Sequence, residues 1–123
     1  MQNNHLKFKS DLKERCFHFS LNIIALEDIL PQKRSTRIIM DQLIRSATSI
    51  GANLVEARAS SSRREFKKFY EISLKSANET IYWLQLLQET KLTDGNLTIS
   101  LLKEVQEIAN MFGAGVIRLK SRN

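Results

Sequence analysis

Residues 42–58 read QLIRSATSIGANLVEAR. Leu43, Ala47, Ile50, Leu54 and Ala57 fall at steps of four, three, four and three, the period of one apolar helix face in a bundle. Arg45, Ser49, Asn53 and Glu56 follow at steps of four, four and three and line one edge of the same helix. A polar row beside an apolar seam suits a partly buried chain of hydrogen bonds. Ser46, Thr48, Ser49 and Gly51 are poor helix formers in solvent, but their small side chains let another helix come close. The stretch reads as a central helix contacted on more than one side.

Working outward, four glycines and one proline in 123 residues leave few breaks, so the chain should fold as one domain, 1–123, of a few long helices. Upstream, Leu12, Cys16, Phe19, Ile23, Leu26 and Leu30 alternate steps of four and three, predicting a first helix over about 6–30. Phe17, Leu21 and Ile24 add a second stripe to it. Pro31 ends it, because the proline ring disfavours helix at the residue before it. The second helix should run over about 36–59, capped by Ser35 or Thr36. Ser62 and Glu65 have capping-box spacing, opening a third helix over about 62–89 that carries Phe66, Phe69, Ser73, Ala77, Leu84 and Leu87. Thr93-Asp94-Gly95-Asn96 is a turn signal, and a fourth helix follows over about 98–120 through Leu102, Val105, Ala109, Phe112, Val116 and Leu119. Gly113 and Gly115 interrupt it and mark either a close approach by a neighbouring helix, the favoured reading, or an early end to the fourth helix. Short loops between helices of about 36 Å make neighbours antiparallel. The expected fold is all-α, an up-down-up-down four-helix bundle.

The segment RSATSIGANLVEA, with the SSSRREFKKFYEISLKSANETIYWL that follows, closely resembles the 23S rRNA intervening-sequence proteins. The residues that carry the resemblance are Arg45-Ser46-Ala47, Ser49-Ile50, Asn53-Leu54, Glu56, Glu65-Phe66, Phe69, Ile72, Ser76 and Glu79. It departs at Ala57, where the family usually has glycine. The resemblance implies a four-helix bundle assembling as a ring, often a pentamer, with no established enzymatic activity. It is also similar in fold to basic pentameric accessory proteins that associate with a reverse transcriptase and nucleic acid.

The charge is uneven. Nineteen Lys and Arg against thirteen Asp and Glu give a net charge of +6 and a pI near 9.7, which favours a polyanionic partner. In an up-down-up-down bundle, one pole collects the start of the first helix, the turn between the second and third, and the end of the fourth. Twelve of the nineteen basic residues fall there (among them Lys7, Lys9, Arg15 and Arg122), against four of the thirteen acidic ones. Arg58, Arg63, Arg64, Lys67, Lys68, Arg118 and Lys120 are the candidate nucleic-acid contacts. The competing reading is solvated charge at helix ends.

Other chemistry finds little support. His5 and His18 share no cluster of ligands at metal spacing, so no metal or cofactor is expected. Glu56 and Glu79 lack a nucleophile or histidine partner and read as structural, with Glu79 placed to pair with Arg45. No enzymatic activity is expected. Tyr82 and Trp83 could stack on bases, but their helical spacing with Leu84, Leu86 and Leu87 fits core or subunit contact better. Cys16 excludes an internal disulfide and serves as an apolar filler. No apolar run is long enough for a membrane span and no signal peptide opens the chain, so a cytoplasmic protein is expected. The partners expected are further copies of itself, with a pentamer favoured, and RNA or DNA. The alternative is an adaptor docking a partner enzyme.

Overall fold

The computed structural model describes residues 11–121, and every element in them is helical. The expected start of the first helix near residue 6, together with His5, Lys7, Lys9 and Arg122, lies outside them. The elements are α1 (Asp11–Leu26), α2 (Arg34–Ala59), α3 (Arg63–Thr90) and α4 (Gly95–Ser121).

α1 stops at Leu26 rather than Leu30. The amides of Glu27, Asp28 and Ile29 bond to carbonyls three residues back, at 3.1–3.2 Å, so the chain tightens into narrower turns ahead of Pro31. Leu30 still reaches the core, which is why it kept the period of the seam. α2 starts at Arg34, and its cap is neither Ser35 nor Thr36. Lys33 is the flanking residue, and the Thr36 hydroxyl reaches back to accept from the Lys33 amide at 3.2 Å and donate to the Pro31 carbonyl at 2.6 Å. α3 opens on Ser62, whose Oγ accepts from the Glu65 amide at 3.1 Å while Glu65 accepts from the Ser61 amide. It closes on Lys91, held in the left-handed region at φ 57°. α4 begins three residues before position 98, because Asp94 Oδ1 accepts from the Asn96 amide at 3.0 Å and the Asp94 carbonyl takes the Leu97 amide.

Cross-helix contacts fix the direction of each element. Ser20 reaches the Ala47 carbonyl between α1 and α2. Ser76 meets Ser49 and Thr80 meets Ser46 between α2 and α3, so rising numbers in one helix meet falling numbers in the next. Tyr70 packs on Phe112, and Arg63 donates to the Leu119 carbonyl, between α3 and α4. Successive helices therefore run antiparallel and pack in sequence as a bundle. Phe19, Ile23, Leu43, Ile50, Leu54, Leu84, Leu87, Val105, Ile108 and Phe112 fill its axis, each fully buried. Burial of side chains of this size is worth about 1.5–3 kcal/mol apiece before conformational entropy is set against it.

Two glycines mark close approaches. A Cβ on Gly51 would lie 3.2 Å from the Cβ of Cys16, where α1 crosses α2. A Cβ on Gly115 would lie 2.4 Å from Cε2 of Tyr70. Gly113 meets nothing within 4 Å, so close approach explains only one of the α4 pair, and the helix runs unbroken through both.

Candidate nucleic-acid interface

The pole where α2 ends, α3 begins and α4 ends is assembled by the Ser60-Ser61-Ser62 turn. Ser60 caps α2 by donating both its amide and its hydroxyl to the Ala57 carbonyl, and two residues later Ser62 caps α3. Arg58 in the last turn of α2 is thereby set beside Arg63 and Arg64 in the first turn of α3. The Arg63 guanidinium donates to the Leu119 carbonyl at 3.2 Å, which ties α4's last turn, with Arg118 and Lys120, to the same end. Arg58, Arg63, Arg64, Lys68, Arg118 and Lys120 are exposed. Lys67 is half-buried with its ammonium 3.8 Å from Glu71, and the Lys68 ammonium sits 5.1 Å from the centre of the Phe69 ring.

Arg15 does not belong to this free charge. Its guanidinium donates to both Glu104 oxygens at 2.9 and 2.7 Å and to Glu107 at 2.8 Å, clasping the start of α1 to α4. With the side chain only 16% exposed, those bonds push its pKa further above the ordinary arginine value, the Glu104 bond contributing most.

A shallow cavity of about 450 Å³ opens beside the α2–α3 turn, lined by Arg58, the three serines, Arg63, Phe66 and Leu119. Phe66 stacks on Tyr70 with ring centres 5.0 Å apart and planes at 25°, and Tyr70 meets Phe112 edge-on at 4.9 Å. The three rings form a column from the cavity wall into the core, and Gly115 leaves the room that Tyr70 occupies. Burial pushes the Tyr70 phenol up, while Arg58 and Arg118 pull it partly back. Sequence reasoning placed Phe66 on the apolar seam and missed the column. Its signal is Phe66 and Tyr70 at a spacing of four, facing a glycine whose partner helix cannot be read from local spacing.

The polar row of α2 meets α3. Arg45 donates to Glu79 and to Gln42, and Glu79 also accepts from the Trp83 indole at 2.9 Å. Asn53 donates to the carbonyl and hydroxyl of Ser49, both at 2.9 Å, and the Ser73 hydroxyl donates to the Ile50 carbonyl at 2.8 Å. Glu56 is exposed and joins none of these bonds. The Arg45 side chain is 59% exposed and that of Glu79 37%, so the ion pair sits on the rim of the row while Ser46, Ser73 and Thr80 are the buried members. Glu56 and Glu79 stand far apart, since Glu56 lies eleven residues, about 16 Å, along α2 from the level of Arg45.

Among the described residues no group of three or more His, Cys, Asp and Glu could hold a metal. Cys16 is buried and its thiol pushed up to about 12 by desolvation, helped by Glu104. No described helix is long and apolar enough to cross a membrane. On the α1–α2 face lies an apolar groove of about 430 Å³ lined by Phe17, Leu21, Ile24 and Val55 over the small residues Thr48, Gly51 and Ala52. Phe17 is 63% exposed there.

A crystallised protein of unknown function from the S23 ribosomal protein family of Bacteroides thetaiotaomicron has the same fold. It superposes with a TM-score of 0.79 at 33% identity, over 85% of this chain and 97% of that one. No curated protein matches the chain. The family model described as 23S rRNA-intervening sequence protein matches residues 9–114. That span takes in the whole of the serine-and-arginine-bearing α2–α3 hairpin, and the chain belongs to the 23S rRNA-intervening sequence protein family.

Proposed function

We propose that this protein is a non-catalytic, self-associating nucleic-acid-binding protein that grips phosphate backbones at its basic pole, with little sequence preference. The observation that carries the reading is the position of Arg63, Arg64, Lys67 and Lys68 in the first two turns of α3. A helix N-terminus carries a partial positive charge and disfavours cations, so α3 itself does not account for four of them there. Arg63 has a partner in the Leu119 carbonyl and Lys67 one in Glu71, while Arg64 and Lys68 make no ion pair among the described residues. Arg58, Arg118 and Lys120 sit at helix C-termini, where cations are favourable, and alone would fit solvated helix ends. An anionic partner accounts for both groups together. Phosphate contacts set affinity and register without reading bases, which suits a patch of lysine and arginine.

Self-association is supported by apolar surface that one chain leaves in water. Phe17, Leu21, Ile24 and Val55 edge the α1–α2 groove, and Ile38, Tyr82 and Leu86 are exposed on α2 and α3. A ring, with a pentamer favoured from the family resemblance, would present the basic pole several times on one side. The same groove supports a second reading, an adaptor that receives a partner protein.

The test measures binding of unrelated RNA and DNA oligonucleotides across a salt series, alongside light scattering. The parent should bind all of them comparably near 50 mM salt, with affinity falling as salt rises. The variant R63A/R64A/K67A/K68A should keep the parent's assembled mass and flatten the salt dependence, each lost duplex phosphate contact removing about 0.9 from the log–log slope. A parent that binds neither RNA nor DNA near 50 mM salt would replace this reading by the adaptor. A parent mass equal to the 14.2 kDa chain at micromolar concentration would remove self-association.

A further inference from the structure

We infer that the cavity at the basic pole receives an unstacked nucleobase against Phe66, so that the pole takes single-stranded nucleic acid in preference to duplex. The inference rests on the reading that this pole binds nucleic acid, and adds which form it binds. A patch of lysine and arginine alone would not discriminate, since both forms present phosphates. What discriminates is an aromatic ring in the wall of an opening that Arg58 and Arg63 of that patch also line.

Phe66 is half-buried and forms part of the cavity wall. Behind it, Tyr70 lies nearly parallel at 5.0 Å and is itself fixed edge-on by Phe112 at 4.9 Å. The column is braced from the core, so Phe66 loses little freedom when a flat group settles on it. A base stacking there extends a row of rings already in place. Arg58 and Arg63 stand on the cavity's rim, where a guanidinium can meet the flanking phosphate or lie over the base. The Ser61 hydroxyl, at the exposed tip of the turn, can donate or accept at a base edge. A duplex keeps its base faces inside its own stack and could use only the charged rim. A single strand brings the rim and the ring into use together, and such stacking tolerates any base because each has a π-face.

The experiment compares three labelled ligands with equal numbers of phosphates by fluorescence anisotropy: an oligothymidylate, the same strand with abasic sites, and a hairpin duplex. The unaltered protein should bind the thymidylate strand about 5- to 150-fold more tightly than the abasic one. Phe66→Leu, which keeps an apolar side chain, should bring the thymidylate strand down to the abasic level and leave the hairpin unchanged. The abasic comparison uses the unaltered protein, so it stands even if the variant folds poorly. Equal affinity for the base-bearing and abasic strands would overturn the inference. So would hairpin binding as tight as that of the thymidylate strand, or an F66L loss equal on strand and hairpin in a variant whose helical circular dichroism matches the parent's. If none of the three ligands binds near 50 mM salt, the pole is not a nucleic-acid site and both readings fall together.

Discussion

Gly113 and Gly115 lie two residues apart on α4, and alanine should stabilise the chain at the first and not at the second. Both substitutions remove glycine's backbone entropy from a helix interior, a gain of about 1 kcal/mol. At Gly113 nothing lies within 4 Å of the new methyl, so G113A should stabilise by about that amount. At Gly115 the methyl would stand 2.4 Å from Cε2 and 2.9 Å from Cδ2 of Tyr70. Ordinary carbon contacts are about 3.5–4.0 Å, so the ring must retreat by more than about 1 Å. Phe66 and Phe112 hold it on both sides. Overpacking of this kind costs about 1–3 kcal/mol, which leaves G115A between neutral and about 2 kcal/mol destabilised. Because the helix gain is common to both, the difference between the variants isolates the steric cost. Urea unfolding followed by circular dichroism, at one fixed protein concentration, measures it. Variants agreeing within about 0.5 kcal/mol would mean that Tyr70 is not wedged against α4, and the aromatic column would lose its support. In a Tyr70→Leu background the penalty on G115A should shrink.

Glu79→Ala removes the acceptor shared by Arg45 and the Trp83 indole. With Arg45 mostly exposed, the cost should be about 1 kcal/mol, well under that of breaking a buried pair, and the emission of the sole tryptophan should shift as its N–H turns to water. A loss of about 4 kcal/mol would place the pair in the core instead. The Cys16 thiol, raised to about 12 by burial, binds its proton more tightly folded than unfolded. Its contribution is therefore fully present below the unfolded value near 9 and is lost as pH rises from there towards 12. A thiol reagent should label Cys16 only on unfolding, and labelling of the native protein at the rate of a free thiol would contradict its burial.

The helical seams were legible because their period depends only on neighbours in sequence. Cys16, Phe19, Ile23 and Leu26 on α1, and Leu43, Ala47, Ile50, Leu54 and Ala57 on α2, are all buried at the spacing their sequence shows. Ends were harder to read. Leu30 keeps the seam's period while the backbone has already tightened, and Asp94 caps α4 three residues before its first long core side chain. The Arg15 clasp was invisible because its carboxylates lie 89 and 92 residues away, on a helix whose rotation no local pattern sets. The basic pole itself could be anticipated from topology, since it needs only the order of helix ends. The cavity and its column could not, because they depend on Gly115 of one helix facing Tyr70 of another.

The hydroxyls between α2 and α3 also act as a ruler. Ser46 with Thr80, Ser49 with Ser76 and Ser73 with the Ile50 carbonyl are all made together in one sliding position of the two helices, whereas leucines facing leucines would tolerate several. A slip of one turn in one direction sets Ser46 against Leu84 and Arg45 against Trp83. In the other it sets Ser49 against Ile72 and Arg45 against Lys75. Ser46 and Thr80 also donate to carbonyls of their own helices and keep those bonds in any register. A slip therefore forfeits the cross-helix bonds, about 1 kcal/mol each, together with the Arg45–Glu79 pair. The ladder thus contributes less to how firmly the chain folds than to where its helices stop sliding. That alignment brings Arg58, near the end of one helix, about level with Phe66 and Lys67 in the first turns of the next.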